Sequence, residues 1–269
     1  DGLSMPGCAA LDANLSTTLP RFVWATNRLG TATSGSGLAD DGLRRALGEY
    51  FERRHFYHEV RGDESGPLAA VRDDPLRQAL IKAFGQTAAP AARERINSHC
   101  FALSTVVRLP TFEPAVVPTI LFSVTGNWLA GDGDFFFCRD TTGCAAHFEL
   151  PRAIEGALRE FAERQYLLRY WLTGQGARDV LSAVAGRLSP AAANLVEKLR
   201  KSGEIHFLDI TQGELAGSIV LAVYRGSRDV QVRYCVGLSC DREAAAAAER
   251  AVKELWQSHI FLRNMVNKA

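Results

Sequence analysis

The chain has 269 residues, of which 47% are hydrophobic and 23% are charged, and its formal net charge is +1. This composition is typical of a globular protein and excludes a disordered or collagen-like chain. A net charge so close to zero gives no electrostatic reason to expect a nucleic acid or a membrane as partner. No apolar run reaches the roughly 18 residues that a membrane-spanning helix needs.

The N-terminal segment and the cysteines give the first expectations about processing and location. Residues 1–20 resemble neither a signal peptide nor a transit peptide, so we expect a disordered segment or a trimmed remnant. The six cysteines contain no C-x-x-C pair, although Cys138 and Cys144 could form half of a metal site. We interpret them as reduced thiols, which predicts a cytoplasmic protein.

The first half of the chain alternates strand and helix signals. β-Branched and aromatic residues predict a strand over residues 21–33, followed by a turn at Ser34–Gly37. A helix is expected to begin at Asp40 or Asp41 and to end near His58. The further predicted elements are helices over 73–84 and 90–96, strands over 100–109, 116–124 and 134–138, and a hairpin turn at 131–134.

The second half is dominated by two long helices. Pro151 fits the first turn of one that ends at Gly174, and its wide apolar stripe predicts deep packing. Asp241 is expected to cap the other, which ends near Leu262. Between them we predict helices over 180–188 and 190–201 and strands over 205–210, 218–224 and 230–237, the last two forming an antiparallel pair.

This order of elements predicts the fold class. Helices and strands in this arrangement indicate an α+β protein, with long helices packed on mainly antiparallel sheets and with internal pseudosymmetry. No low-complexity linker interrupts the chain, so a single domain over residues 1–269 is expected.

One motif occurs twice in matching apolar frames. Residues 46–53 and residues 157–164 both read A-L-x-E-x-x-E-R. Helical residues three apart share a face, so Glu49 pairs with Glu52 and Glu160 pairs with Glu163. Such pairs are ordinary on a solvated helix face, but four carboxylates that converge would require cations, and Mg²⁺ prefers oxygen ligands of this kind. The spacing alone leaves both interpretations open.

The histidines offer a weaker candidate site. His55 and His58 share a helix face with Glu52, which could bind a transition metal. A partly exposed polar face explains the same residues. No histidine lies in a recognisable catalytic triad motif.

Three motifs in chain order resemble those of the YcaO family. The first is Gly35-Ser36-Gly37 followed by Glu49 and Glu52. The second is Gly143-Cys-Ala-Ala146 followed by Glu160-x-x-Glu163-Arg164. The third is Gly237-Leu-Ser-Cys-Asp-Arg-Glu-Ala244 followed by Glu249-Arg250 and Glu254-x-x-Gln257. Together they extend over residues 21–262.

The resemblance implies an ATP site without a P-loop, and no G-x-x-x-x-G-K-[ST] occurs in this chain. It implies ATP- and Mg²⁺-dependent activation of a peptide backbone amide, which yields azolines or thioamides. The implied partners are a ribosomally made precursor peptide and a leader-binding or other biosynthetic protein, and a homodimer is left open. The implied metal ligands are Glu49, Glu52, Glu160 and Glu163. The implied nucleotide contacts are Ser36, Arg45, Glu49, Arg152, Arg164, Arg250 and Gln257.

Four positions depart from the family pattern. Family members usually have Lys at the position of Ser36 and Ser at the position of Arg45. They usually have Asn at the position of Phe148 and Glu at the position of Arg152. Arg152 replaces a carboxylate and adds a positive charge. Both Arg45 and Arg152 can bind phosphate or neutralise the remaining carboxylates. Two functions therefore stay open, an ATP-dependent enzyme and a degenerate subunit that binds a peptide or a partner protein.

Overall fold

The computed structural model describes residues 7–11, 21–26, 32–37, 41–124, 130–136, 140–213, 217–228 and 230–266. Its strands are β1 Gly7–Leu11, β2 Arg21–Thr26, β3 Ala32–Gly37, β4 Glu64–Gly66, β5 Phe101–Val107, β6 Pro114–Pro118, β7 Arg178–Asp179, β8 Gly203–Asp209, β9 Ser218–Gly226 and β10 Tyr234–Asp241. Its α-helices are α1 Asp41–Arg54, α2 Asp74–Thr87, α3 Pro90–Arg93, α4 Leu150–Thr173, α5 Leu181–Val184, α6 Pro190–Arg200 and α7 Ala244–Val266. These elements confirm the α+β class.

The chain divides into two compact units. Residues 1–51 and 142–269 form the first, and residues 52–141 form the second. The expectation of a single domain over 1–269 stays a prediction. No described helix is both long enough and apolar enough to cross a bilayer.

A four-stranded antiparallel sheet organises the first unit, with the strand order β10-β9-β8-β7. The predicted pair of strands is confirmed, since β9 and β10 align with Leu221 opposite Leu238. Strand β10 has a neighbour on one side only, so it is an edge strand of this sheet. Every second backbone amide of an edge strand points away from the sheet and needs another acceptor.

Helices cover both faces of this sheet. On one face, α6 and α7 pack over Phe207, Val220 and Ala222, which belong to the largest apolar core of the molecule. On the other face, α4 places Tyr166 and other apolar side chains over a smaller cluster that includes Cys240. The unit is therefore built in three layers, with α4 and α7 on opposite sides of β10.

Gly237 allows α7 to lie directly on β10. A Cβ atom at this position would be 2.1 Å from the carbonyl oxygen of Ala251 and 2.3 Å from the amide nitrogen of Leu255. Both atoms belong to the helix backbone and cannot rotate away. The absence of a side chain at position 237 thus fixes the distance between strand and helix.

The N-terminal strands form a separate antiparallel sheet with the order β1-β2-β3. The predicted turn at Ser34–Gly37 is wrong, because these residues continue β3 and pair with β2. Gly35 is suited to this strand because a Cβ atom there would be 2.5 Å from the backbone of Gly42 and Ala46 on α1. The predicted helix from Asp41 to near His58 is confirmed, with a π-helical turn at His55–Glu59 after α1.

Helix α4 confirms one prediction and contradicts another. Pro151 lies in its first turn, and Gly174 ends it in the left-handed conformation with its amide donating to Tyr170. The predicted deep packing is wrong, since no residue of α4 is buried. The apolar stripe is wide because it surrounds much of the helix, and only the part that includes Tyr166 and Tyr170 faces the sheet.

The second unit contains the antiparallel sheet β4-β5-β6 and a core with Phe84, Phe101 and Phe135. The strand predicted over 116–124 ends at Pro118 and continues as a 3₁₀ turn. The predicted hairpin turn at 131–134 is a 3₁₀ turn instead, and residues 134–136 form no strand, while 137 and 138 lie outside the described residues.

Asp132 explains this local structure. Its buried carboxylate accepts a hydrogen bond from the Ala102 amide at 3.0 Å and contacts His99 Nε2 at 2.7 Å. These contacts hold the segment to β5 as a turn.

Substitution of Gly237 by Val is expected to destabilise the protein by about 3 kcal/mol or more, because the new side chain overlaps the α7 backbone. Thermal unfolding followed by circular dichroism measures this change. The matched control is Gly48→Ala on α1, where an added Cβ atom meets nothing within 4 Å. We expect the control to be neutral or stabilising by about 0.5–1 kcal/mol. Equal melting temperatures for the two variants would contradict the role assigned to Gly237.

Candidate functional site

Carboxylates from both helix layers meet at the open edge of β10. Glu163 on α4 accepts a hydrogen bond from the Cys240 amide at 2.5 Å. Glu254 on α7 accepts one from the Leu238 amide at 3.3 Å. Cys240 and Leu238 are two residues apart, so their amides point in the same direction along the strand. The two carboxylates therefore bind successive outward amides of the edge strand.

Glu160 completes this group of acids. It lies one turn before Glu163 on α4, and it accepts hydrogen bonds from the Gly143 amide at 3.1 Å and from Arg164 at 2.6 Å. Arg164 also donates to the Thr142 hydroxyl at 3.1 Å. The Glu160–Arg164 pair thus anchors the backbone at residues 142–143 to α4.

The acids perturb each other. Burial raises the pKa of Glu163 to about 7, and the negative charge of Glu160 adds to the increase. Burial raises the pKa of Glu254 to about 8, with further increases from Glu163 and Glu160. The Glu254 side chain is partly exposed to solvent, while protein atoms surround its carboxyl group. We call Glu160, Glu163 and Glu254 the acidic cluster.

Arginines surround the acidic cluster. Arg250 partly offsets the increase in the pKa of Glu163, and Arg45 does the same for Glu254. Arg250 and Arg159 both contact Oδ2 of Asp241, at 3.2 Å and 3.1 Å. The prediction that Asp241 caps the last helix is wrong, because α7 begins at Ala244 and the Asp241 carboxylate binds these two arginines.

Other residues that the sequence singled out lie at different distances from the cluster. Glu49 is one turn after Arg45 on the same face of α1, which places it beside the residue that acts on Glu254. Gln257 is one turn after Glu254 on α7 and is half-buried. Ser36 lies in β3. Glu52 belongs to the second unit, so its place in a shared site stays a prediction.

Two of the departing positions lie away from the acids. The side chain of Arg152 is exposed and pairs with Glu155 at 3.3 Å, about 12 Å along the helix axis from Glu160. Phe148 precedes α4 and is fully exposed. In the candidate transition-metal site of His55, His58 and Glu52, the His55 ring contacts the carboxylate of Glu59 at 3.4 Å.

The sequence motifs predict neither Glu254 as a metal ligand nor the contacts of Asp241 with two arginines. A signal for Glu254 was present, because it follows a strand and begins an E-x-x-Q pair on one helix face. The role of Asp241 depends on Arg159, which is 82 residues earlier in the chain, and local spacing cannot reveal it.

The family model for YcaO cyclodehydratases, described as ATP- and Mg²⁺-binding, matches residues 34–267. The chain belongs to the YcaO family. The expected resemblance is thereby confirmed, and the matched region contains the whole acidic cluster.

Two Escherichia coli matches, one of sequence and one of structure, are to the same YcaO protein. The microcin B17-processing protein McbD is 32% identical over 264 residues. A solved structure of the microcin synthetase McbBCD complex with pro-MccB17 bound superposes with a TM-score of 0.88 at 30% identity. Each match covers 97% of this chain and 66% of the relative, so the chain spans slightly less than two thirds of their length.

A more distant YcaO protein supports the fold alone. The YcaO structure from Methanopyrus kandleri, bound with AMPPCP and Mg²⁺, has a TM-score of 0.67 and is 17% identical, and the match covers 97% of this chain and 64% of that one.

The acidic cluster fits Mg²⁺ by the chemistry of its donors. Its carboxylate oxygens are hard ligands, and burial together with the neighbouring acids raises the pKa of Glu163 and of Glu254, so a cation would stabilise their charged forms. Among the residues that the structure describes, no three His, Cys, Asp or Glu side chains form a group that could hold a metal ion. Only one or two acids of the cluster would therefore bind a given Mg²⁺, which keeps several waters and commonly binds one or two carboxylates together with substrate phosphates.

The raised pKa of Glu163 predicts a pH dependence of stability. The folded state binds a proton at this carboxyl more tightly than the unfolded state, so the group's contribution to stability is complete below its ordinary pKa and is lost as the pH rises through about 7. Glu163→Gln removes this loss. Between pH 5 and pH 8.5 without divalent cations, we expect the wild type to lose on the order of 1–3 kcal/mol more than the variant.

Chemical denaturation at each pH measures this difference. The control is Glu197→Gln on α6, whose side chain is exposed. If Glu163→Gln and the wild type lose the same stability over this range, the carboxyl has no raised pKa.

Proposed function

We propose that this chain uses ATP and Mg²⁺ to activate a backbone amide of a ribosomally made peptide, so that an azoline or a thioamide forms. The observation that carries the proposal is the acidic cluster at the β10 edge, inside a region that matches an ATP- and Mg²⁺-binding family. The similarity to a microcin B17-processing protein supports a peptide as the substrate.

The chemistry requires a better leaving group than an amide oxygen. ATP with Mg²⁺, when bound, supplies the phosphoryl group that lets this oxygen leave as phosphate after a nucleophile has added to the amide carbon. Residues of this chain supply charge and position. Glu160, Glu163 and Glu254 are the candidate cation ligands. Because the pKa values of Glu163 and Glu254 are raised to about 7 and about 8, cation binding would release the protons that these two groups hold near neutral pH.

The arginines supply the complementary charge. Arg164 and Arg250 are each held by a carboxylate, so their guanidinium groups are oriented before any ligand binds. A guanidinium group presents several N–H donors in one plane and matches the oxygens of a phosphate. We assign Arg164 and Arg250 to phosphate contacts and Glu49 to the same site.

Partners follow from the same proposal. A peptide modified in this way needs a protein that presents it, and the related McbBCD complex was solved with pro-MccB17 bound. We infer that this chain acts with a precursor peptide and at least one biosynthetic partner protein. Dependence on ATP is consistent with a cytoplasmic location, as are the reduced thiols of Cys100, Cys235 and Cys240.

Binding of ATP is expected to depend on Mg²⁺ and on the acidic cluster. In isothermal titration calorimetry, the wild type should bind ATP with millimolar or better affinity in the presence of Mg²⁺ and at least tenfold more weakly with EDTA. Glu160→Ala and Glu163→Ala should each weaken Mg²⁺-dependent binding at least tenfold, because each removes a hard ligand. Glu197→Ala on α6 is the control and should bind like the wild type.

Glu49→Ala extends the same experiment to α1 and should weaken binding in the same direction. A folded wild-type protein that binds no ATP at several millimolar, with Mg²⁺ present, would contradict the enzymatic proposal.

A second function has its own observation. Arg45 and Arg250 already act on the acidic cluster without any ligand, so the cluster could be neutralised internally in a subunit that binds a peptide or a partner and turns over no ATP. Arg45→Ser distinguishes the two. If Arg45 blocks the site, this variant should gain Mg²⁺-dependent ATP binding at least tenfold. If Arg45 contacts the nucleotide, the variant should bind more weakly than the wild type.

Arg152 provides the control for this comparison. It lies away from the acidic cluster, so Arg152→Ser should leave ATP binding unchanged in both cases. A change as large as that of Arg45→Ser would mean that the cluster, as defined here, does not contain the whole binding site.

A further inference from the structure

The edge of β10 is closed along only half of its length. Glu254 and Glu163 bind the amides of Leu238 and Cys240, which lie in the second half of the strand. Neither carboxylate binds an amide in the first half. We call residues 234–237 the open edge.

The open edge has two amides that point away from the sheet. The side of β10 that pairs with β9 is marked by the Arg233 carbonyl, which accepts a hydrogen bond from the Gly226 amide at 2.8 Å. Backbone groups alternate between the two sides of a strand, so the N–H and C=O groups of Tyr234 and Val236 point to the other side. In the part of the chain that the structure describes, no residue accepts a hydrogen bond from either of these amides.

The side chains of the open edge do not protect it. Proteins commonly block an exposed edge strand with charged side chains or proline. Here the two residues with outward backbone groups are Tyr234 and Val236, which are 66% and 49% exposed. Aromatic and β-branched residues favour strand pairing, and they form favourable pairs with residues directly opposite on a neighbouring strand. The open edge is therefore suited to accept another strand.

We propose that the open edge binds an extended segment of the substrate peptide as an added antiparallel strand. Tyr234 and Val236 together present two donors and two acceptors, and the main chain of an extended peptide presents the same groups at the same spacing. All strand pairs within this sheet are antiparallel, which favours the same direction for an added one. The inference rests on the proposed function in one respect, the identification of the bound peptide as the substrate.

The open edge would deliver this peptide to the acidic cluster. Successive outward amides of a strand are about 7 Å apart. The amide after that of Val236 is bound by Glu254, and the next one is bound by Glu163. The two carboxylates therefore end the pairing at Val236, and a peptide that continues in the same direction reaches them after about two to four residues. A backbone amide at that distance from the paired segment would lie beside the candidate cation ligands.

Fluorescence anisotropy tests the added strand. The probe is a fluorescein-labelled peptide in which three Val-Thr repeats are joined to a segment of Gly, Ser and Cys. In EDTA and without ATP, we expect the wild-type protein to bind it with a dissociation constant below about 1 mM, since main-chain hydrogen bonds supply the affinity. The absence of binding at that concentration would overturn the proposal.

N-methylated probes test the hydrogen bonds on the unaltered protein. In an antiparallel pair, the peptide residues that bond to the open edge have side chains on the same face as Tyr234 and Val236. We expect valines at these positions, so N-methylation of the three valines should weaken binding at least tenfold. N-methylation of the three threonines is the matched control and should have little effect, because those amides point away. Equal effects of the two probes, or a larger effect of the threonine set, would contradict the antiparallel strand.

A proline at position 236 tests the same bonds from the side of the protein. Val236→Pro removes one outward amide and leaves the ladder with β9 intact, and proline is tolerated at such edge positions. It should weaken binding of the unmethylated probe at least tenfold. The control is Val236→Thr, which keeps the amide and the β-branched shape and should bind like the wild type. Circular dichroism checks that both variants fold.

Photo-cross-linking locates the bound segment. A benzophenone side chain in place of the second valine of the probe should attach to β10 on irradiation, as identified by mass spectrometry of the digested protein. Attachment only to other elements would overturn the proposal. None of these measurements contains ATP or Mg²⁺. A protein that binds the probe at β10 and binds no ATP would therefore contradict the proposed function and leave the added strand in place.

Discussion

The open edge of β10 is the constraint on which the candidate site depends. An edge strand presents amides that its own sheet cannot bind, and here the acceptors are Glu163 from one helix layer and Glu254 from the other. Each carboxylate satisfies a backbone group, and burial, with a further contribution from a neighbouring acid, raises its pKa. The same contacts therefore close the sheet edge and concentrate negative charge at one place. A cation at this place would stabilise both.

The sequence predicts much of this arrangement because its signals are local. The two E-x-x-E pairs, the first turn of α4 at Pro151 and its end at Gly174 depend on residues within a few turns of each other, and the structure contains all of them on helices. The three motifs also indicate the family, which the match over residues 34–267 shows. Helical spacing thus places Glu160 and Glu163 on one face of α4, while the assignment of the predicted residues to a nucleotide site stays a prediction.

The features that the sequence does not predict depend on distant partners. Asp241 has the features of a helix cap, yet it binds Arg159 and Arg250 because β10 passes between α4 and α7. The strand predicted over 134–138 is absent at residues 134–136, which follow a turn that the Asp132 carboxylate holds through His99 and the Ala102 amide. The stripe of α4 shows that the helix is apolar, but it cannot show which side the sheet covers.

Gly237 has a consequence for how such a site can diverge. It carries no functional group, and yet its missing side chain sets the height of α7 above the strand and therefore the position of Glu254 against the Leu238 amide. Exchange of one acid or arginine removes the contacts of that side chain, and at Glu163 or Glu254 it leaves one edge amide of β10 without its acceptor. A change at position 237 would displace the helix as a whole. Gly237 takes no part in the chemistry, and it nevertheless limits how the site can change, because it fixes the position of α7.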